Sequence, residues 1–311
     1  KARRKLRLPL EESPLRNQPA PSLLLLLLIL LPPQMPTAAT SLLEPEFLRK
    51  LEQLSIVSKK VFAGQLKGER RSTRRGTSVE FADFRNYSLG DDLRYVDWNT
   101  FARLEKLFLK LFVEEEDLHV YVLIDGSQSM AYGSPSKFEY AKRIGAALGY
   151  IGLSNLDRVG ATVFAEKMRD HLPPTRGRQQ VFPFFSFLEK AEAGGQTSLA
   201  ASLKEYALRT RRPGVAILIS DFFDPEWETG LKALLHRRFQ VSAIQVLDRT
   251  ELRPDLVGDL KLVDCETGEE REITISAGLL KDYQKAVDQF CGGIQETCRR
   301  YGADYILAVT D

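Results

Sequence analysis

Three separate segments of the sequence carry the oxygen-bearing side chains that a small divalent cation prefers. Asp125, Ser127 and Ser129 form a D-x-S-x-S pattern, which places one carboxylate and two hydroxyls within five residues. Thr197 lies in the glycine-containing stretch GGQTS, and Asp221 follows the apolar run VAILIS. Because Mg2+ binds oxygen ligands in octahedral geometry, these five side chains together predict a site for a hard divalent cation.

The candidate ligands follow predicted strands, which explains how distant segments can meet. The runs LHVYVLID and VAILISD are nearly continuous in apolar residues, as expected for strands that are covered on both faces. In an open α/β sheet, ligands bind beyond the carboxyl ends of the strands. A serine that caps a helix, or an aspartate after a buried strand, has an ordinary structural explanation when it occurs alone. That explanation does not cover the arrival of all five side chains at one edge.

Strands and helices alternate from Leu118 to the end of the sequence. Strands are predicted at residues 118–125, 158–165, 215–221, 239–247 and 304–309, and helices at 136–153, 178–190, 198–211, 226–238 and 277–300. A hairpin is predicted for LKLVD and REITI. Strands that are separated by helices predict right-handed crossovers and helices on both faces of the sheet. Residues 118–311 are therefore predicted to form a doubly wound α/β domain with a mostly parallel sheet.

Residues 41–117 are predicted to form an N-terminal helical and β elaboration that packs on the sheet. Apolar residues recur at helical spacing between Leu42 and Phe62, and a strand is predicted around residues 107–113. We interpret the charged residues of this segment as a partly buried ion-pair network, with a partner-docking surface around Gly90 and Trp98 as the alternative. The charged residues are Asp83, Arg85, Asp91, Asp92, Arg94, Asp97 and Arg103.

Residues 1–40 are predicted to be a leader or a non-folding extension. The apolar run Leu23–Leu31 has nine residues, whereas a helix needs about 20 to span a bilayer, so no transmembrane segment is expected. This run could form the core of a signal peptide, but a translation start at Met35 is favoured. A cytoplasmic protein is therefore expected, with export as the alternative.

The composition narrows the class of protein further. Hydrophobic residues make up 43% and charged residues 28% of the chain, which excludes a disordered protein. Three cysteines are too few for a secreted disulfide framework. The formal net charge is +2, with the excess of Lys and Arg in residues 1–75 and a mildly acidic remainder. The sequence has neither a G-x-x-x-x-G-K-[ST] loop nor a G-x-G-x-x-G turn, so it carries no recognisable nucleotide-binding motif.

In order and context, the five candidate ligands resemble the metal-ion-dependent adhesion site of von Willebrand factor A-like domains. More specifically, the segment Glu80–Met130 is similar to the bacterial domain-of-unknown-function family fifty-eight. The resemblance implies that Ser127 and Ser129 bind Mg2+ (or Mn2+) directly, and that the other three ligands bind it directly or through water. It also implies that one coordination position stays open for an Asp or Glu of a partner protein.

The function implied by the resemblance is that of a non-enzymatic adaptor beside a MoxR-type AAA+ ATPase, acting on a protein client in assembly or in metal-cofactor insertion. Two alternatives stay open. The same five oxygens could serve a metal-dependent hydrolase, although none of His119, His171 and His236 is placed as a general base. The basic loop Lys67–Arg75 could bind nucleic acid, but it lacks interleaved aromatic residues, so nucleic acid is not favoured.

Overall fold

A computed structural model describes Phe47, Arg49, Leu51, Glu52 and residues 80–89, 91–113, 118–256, 258–263 and 270–310. The predicted leader at 1–40, the basic loop Lys67–Arg75 and most of the predicted helix at 42–62 lie outside the described residues. The four described positions of that helix have helical backbone, and Phe47 and Leu51 are buried in the core, as the apolar spacing predicts.

Ten strands lie within the described ranges. They are β1 (Glu80–Asn86), β2 (Phe108–Val113), β3 (His119–Asp125), β4 (Arg158–Phe164), β5 (Met168–Arg176), β6 (Val215–Ser220), β7 (Gln240–Asp248), β8 (Gly258–Val263), β9 (Glu270–Ile275) and β10 (Asp304–Thr310). Six of them form the central sheet in the order β10-β7-β6-β3-β4-β5. Every neighbouring pair in this sheet is parallel except β4 and β5. A mixed α/β fold with a mostly parallel central sheet is thus confirmed.

Helices cover both faces of this sheet. The described helices are α1 (Trp98–Leu104), α2 (Lys137–Ser154), α3 (Val181–Lys190), α4 (Leu199–Arg209), α5 (Trp227–His236), α6 (Arg249–Leu252) and α7 (Ala277–Arg300). One core lies between the sheet and α2 and α3, and a second lies between the sheet and α4, α5 and α7. None of the helices in the described ranges combines the length and the apolar character needed to cross a membrane.

The central strand β3 shows why its sequence is apolar at nearly every position. Val122 and Ile124 point into the core with α2 and α3, whereas Tyr121 and Leu123 point into the core with α4 and α5. All four side chains are buried. A strand that is covered on both faces cannot alternate apolar and polar residues, so the continuous apolar run is a direct consequence of its position.

Strand β5 is the main element of the sheet that the sequence analysis does not predict. It pairs antiparallel with β4 at the edge of the sheet, and its residues are largely exposed. It contains Pro173 and Pro174, which lack the backbone N–H that a central strand needs. Prolines within sheets are confined to edge strands and bulges, and this edge position accommodates them.

The region before β3 contains a two-stranded sheet with a helix between its strands. Strands β1 and β2 pair antiparallel, and Asp97 caps the first turn of α1 by accepting hydrogen bonds from two backbone N–H groups. The described ion pairs of this segment join Arg85 with Asp91 at 2.6 Å, Arg94 with Asp92 at 2.6 Å, and Asp97 with Lys110 at 3.5 Å. The first two stabilise local turns, and the third links the start of α1 to β2. The predicted hairpin near the carboxyl end is confirmed as β8 and β9.

Candidate functional site

Two buried aspartates meet at the carboxyl edge of adjacent parallel strands. Asp125 is the last residue of β3, and Asp221 directly follows β6, which is the neighbour of β3 in the sheet. Both side chains have no exposed surface. The two residues are 96 positions apart in sequence, and the parallel pairing of their strands brings them to the same edge, as the sequence analysis expects.

The D-x-S-x-S segment forms a tight turn with its hydroxyls turned inward. The backbone N–H of Ser127 donates to Asp125 Oδ1 at 3.0 Å, and Ser127 Oγ lies 3.1 Å from Ser129 Oγ. Both serines are buried. At Gly126 a Cβ atom would lie 2.8 Å from Val163 Cγ1, so a larger residue would force the turn or β4 to shift. The turn thus presents one carboxylate and two hydroxyls together.

The loop that carries Thr197 is attached to this turn by backbone hydrogen bonds. The N–H of Gly194 donates to the carbonyl of Gly126 at 2.7 Å, and the N–H of Gln128 donates to the carbonyl of Gly195 at 2.8 Å. Gly195 has φ of 90°, a conformation that favours glycine. The half-buried Thr197 follows two residues later, in the loop that leads into α4. The structure therefore places its loop, through these backbone contacts, beside Asp125, Ser127 and Ser129.

The proximity of two buried carboxylates changes the protonation of the site. Burial and the negative charge of Asp221 raise the pKa of Asp125 to about 7. The Ser220 hydroxyl donates to Asp125 Oδ2 at 2.6 Å and partly offsets this effect. Buried charges are costly unless they are paired or coordinate a metal ion. Positive charge at this edge therefore stabilises the ionised form of Asp125.

Lys137 supplies such a positive charge, and the sequence analysis missed it. Its Nζ donates to Asp221 Oδ2 at 2.9 Å and to Glu251 Oε1 at 2.7 Å, and the side chain has no exposed surface. Burial opposes its charge, but the two carboxylates outweigh burial and raise the pKa of Lys137. One signal was available, because a lysine at the first position of α2 opposes the helix dipole. This unfavourable position marks Lys137 as unusual, but it does not identify its partners.

Glu251 is held in place by its own helix. In the short helix α6, Asp248 and Glu251 form a capping box, in which Glu251 Oε2 accepts the N–H of Asp248 at 2.8 Å. The Tyr283 hydroxyl of α7 donates to the carbonyl of Glu251 at 2.6 Å. Burial raises the pKa of Glu251, and the charge of Lys137 counteracts this. The second partner of Lys137 is therefore also held in a fixed position.

The backbone at Phe222, directly after Asp221, is strained, and hydrogen bonds and side-chain packing hold it in place. Phe222 has φ of 62°, which is rare for a bulky residue and costs on the order of 1–3 kcal/mol. Its N–H donates to Ser220 Oγ at 2.9 Å, and its buried ring meets Trp227 edge to face at 5.4 Å. The N–H of Phe223 donates to Asp221 Oδ1 at 3.2 Å. This reversal of the chain fixes the direction of the Asp221 carboxylate.

The donor set consists of carboxylate and hydroxyl oxygens, which suits a hard cation. Across the described ranges, no group of three or more His, Cys, Asp and Glu residues is arranged to hold a metal ion. The five candidate ligands include only two residues of these types, Asp125 and Asp221, and the other three are serine and threonine hydroxyls.

Cys291 and Cys298 on α7 are free thiols, and Cys298 is fully buried in the core, as its helical spacing suggests.

The three histidines lie away from this edge. His119 begins β3 at the amino edge of the sheet, His171 Nδ1 lies 2.9 Å from Thr162 Oγ1, and His236 ends α5. His119 and His171 instead line a cleft of about 500 Å³ together with Tyr121, Tyr206 and several arginines. Two of these arginines follow the carboxyl end of α4, whose dipole favours positive charge.

These features define an α/β protein with a mostly parallel sheet and a carboxylate- and hydroxyl-lined carboxyl edge. Residues 83–290 match the model of the family described as "Protein of unknown function DUF58". Because this match covers more than half of the sequence, the chain belongs to that family.

The chain is also similar to curated relatives and to solved structures. The chain is 28% identical over 274 residues to Uncharacterized protein Rv1480 of Mycobacterium tuberculosis, covering 86% of each chain. It is 37% identical over 123 residues to Uncharacterized protein MAV169 of Mycobacterium avium, covering 39% of this chain and 72% of that one. Among solved structures, it is similar to BatB from Bacteroides thetaiotaomicron, with 19% identity, a TM-score of 0.39, and coverage of 62% of this chain and 91% of that one. It is also similar to an aerotolerance-related membrane protein from Bacteroides fragilis, with 21% identity, a TM-score of 0.41, and coverage of 61% and 91%.

Proposed function

We propose that this protein is a protein-interaction module of the von Willebrand factor A-like class, whose binding depends on Mg2+ or Mn2+. The observation that carries this proposal is the pair of fully buried aspartates, Asp125 and Asp221, beside two buried serine hydroxyls at one edge of the sheet. Lys137 offsets only one of the three carboxylate charges of Asp125, Asp221 and Glu251, whereas a divalent ion would neutralise the remaining two.

The proposed division of roles follows the chemistry of each group. Ser127 and Ser129 would hold the ion through their hydroxyls, while Asp125, Thr197 and Asp221 would bind it directly or through water. When bound, the ion supplies a fixed positive charge that neutral backbone cannot provide. Asp125 would also hold the turn together, since its carboxylate accepts the Ser127 N–H. Because the protein supplies fewer than six direct ligands in this scheme, a carboxylate of a partner could complete the octahedron.

The proposed partner is a MoxR-type AAA+ ATPase, or the protein client on which the two act together, contributing an Asp or Glu. Two exposed aromatic residues support a protein partner at this edge. Tyr132 follows the D-x-S-x-S turn and is 52% exposed, and Phe223 follows Asp221 by two residues and is 47% exposed. Aromatic side chains are enriched in protein interfaces and at their energetic centres.

We favour binding over hydrolysis because of the positions of the residues that could act as a general base. A metal-dependent hydrolase needs a general base close to the ion. The three histidines lie away from this edge, and Lys137 is committed to the carboxylates of Asp221 and Glu251, which are in turn paired with it. The ion at this site is therefore proposed to act as a ligand for a partner rather than as a catalyst.

Two measurements with the same variants test this proposal. Thermal unfolding in Mn2+ or Mg2+ should show a stabilisation, which at a hundredfold excess over Kd is about 2.7 kcal/mol. Asp125→Asn should abolish this metal-dependent shift, while the control Asp170→Ala, at an exposed position of β5, should retain it. A pull-down of the MoxR-type ATPase should fail in EDTA and with Asp125→Asn. Capture that persists unchanged in EDTA would refute a metal-dependent interaction.

A further inference from the structure

Lys137 is a lysine with no exposed surface beside the proposed cation site. Resting on the proposed function, we propose that Lys137 is a tethered counter-ion that sets the net charge of this site, so that it is matched to a divalent ion. Lys137 is then a specificity-determining residue that does not itself bind the metal.

The contacts of Lys137 fix its ammonium group against Asp221. Nζ lies 2.9 Å from Asp221 Oδ2, 2.7 Å from Glu251 Oε1 and 4.8 Å from the centre of the Phe223 ring. The two carboxylates and the ring surround the ammonium group without access to water. The charge therefore stays at this position and acts on the site through an environment of low dielectric constant, where electrostatic effects are strong.

The net charge around the site determines whether it prefers a divalent or a trivalent ion. With a cation bound, the carboxylates of Asp125, Asp221 and Glu251 contribute three negative charges, and Lys137 contributes one positive charge. The net charge of this group is then −2, which one divalent ion neutralises. Without Lys137 the net charge of the group is −3, which one trivalent ion would neutralise. Without the charge of Glu251 it carries −1, and the attraction for highly charged ions falls.

An ordinary structural ion pair is the alternative, and it makes a different prediction. If Lys137 only stabilises the fold, its replacement lowers the stability of the protein without changing the preference between ions of different charge. If it sets the charge of the site, its replacement changes the ratio of affinities for trivalent and divalent ions. The ratio therefore separates the two roles, because a loss of stability alone leaves it unchanged.

The test compares the binding of Tb3+, followed by its luminescence, with the binding of Mn2+, followed by calorimetry. Lys137→Met should raise the Tb3+ affinity relative to Mn2+ by roughly ten- to a hundredfold, the size expected for one unit charge a few ångströms away in a protein. Glu251→Gln, which keeps the lysine, should lower the ratio. Lys137→Met combined with Glu251→Gln should return it to near the wild-type value.

A matched control lies on the same helix. Lys142 is also buried and forms an ion pair with Glu139, so Lys142→Met removes a buried lysine away from the site and should leave the ratio unchanged. Lys137→Arg should also leave it unchanged, because the charge is kept. If Lys137→Met does not fold, the test rests on Glu251→Gln, which should lower the ratio, and on the double variant, which should restore it to near the wild-type value.

The outcomes separate this inference from the proposed function. If the wild-type protein binds neither ion in a manner that Asp125→Asn abolishes, the proposed cation site itself is wrong. If the wild-type protein binds both ions at this site but the ratio is the same in all variants, the cation site stands and the role of Lys137 is overturned.

Discussion

At the scale of single residues, Asp125 makes the site sensitive to pH. Its carboxyl is buried beside Asp221, and both effects raise its pKa to about 7, compared with about 3.9 in an unfolded chain. A group with a raised pKa in the folded state contributes stability that is fully present below the unfolded value. That contribution is lost as the pH rises through the folded value.

We therefore expect the metal-free protein to lose stability between about pH 4 and about pH 7 in a manner that depends on Asp125. Asp125→Asn should flatten this part of the profile, since the amide does not ionise. Urea unfolding in EDTA at a series of pH values measures the effect. Because Glu251 and Asp304 also have raised pKa values, only the difference between the wild type and the variant is diagnostic. Parallel profiles for the two proteins would contradict the assignment.

Lys137 also shows what single-residue patterns in a sequence cannot reveal. The D-x-S-x-S motif is local, so its chemistry is visible in the sequence. In contrast, Lys137 is 84 positions from Asp221 and 114 positions from Glu251, and only the fold brings the three together. The sequence does not predict the burial of Lys137 either, because lysine is ordinarily a surface residue.

At the scale of elements, the site depends on how closely the turn after β3 packs against β4. A Cβ atom at Gly126 would lie 2.8 Å from Val163 Cγ1 and 3.4 Å from the Phe164 carbonyl oxygen. Contacts of this kind force the turn or its neighbour to move. The turn carries Ser127 and Ser129, so a displacement would also separate the candidate ligands.

Gly126→Ala should destabilise the protein by about 1–3 kcal/mol, because the added methyl group overpacks the space against β4. Val163→Ala removes the atom that it would meet, so the double variant should be less unstable than the sum of the two single variants predicts. Urea unfolding of the four proteins provides the double-mutant cycle. Strict additivity would show that the turn does not rely on this contact.

The elements themselves differ in how well the sequence predicts them. Strands β3 and β6 are predicted well because burial on both faces leaves a continuous apolar run. Helix α2 is also predicted well, since apolar residues such as Phe138, Ile144 and Ile151 recur at helical spacing. Strand β5 is not predicted, because an exposed edge strand with two prolines has neither an apolar run nor a clear alternation. Its position follows from pairing with β4, which is a property of the assembled sheet.

At the scale of the whole molecule, the two edges of the sheet have opposite character. The carboxyl edge gathers Asp125, Asp221 and Glu251 around a buried lysine, whereas the amino edge has a cleft lined with histidines and arginines. The proposed cation therefore belongs to the edge where negative charge is concentrated. Chain connectivity alone predicts this edge, because parallel strands bring all their carboxyl ends to the same side.

The most direct test of the central claim is the position of a bound ion. Crystals grown with Mn2+ should give one anomalous-scattering peak between Ser127 Oγ, Ser129 Oγ and the side chain of Asp221. Its distances to the directly coordinating oxygens should be close to the 2.0–2.1 Å typical of Mg2+. The peak should be absent from crystals of Asp125→Asn. A manganese position that lies elsewhere in the molecule, beyond reach of the Asp125 turn, would contradict the account.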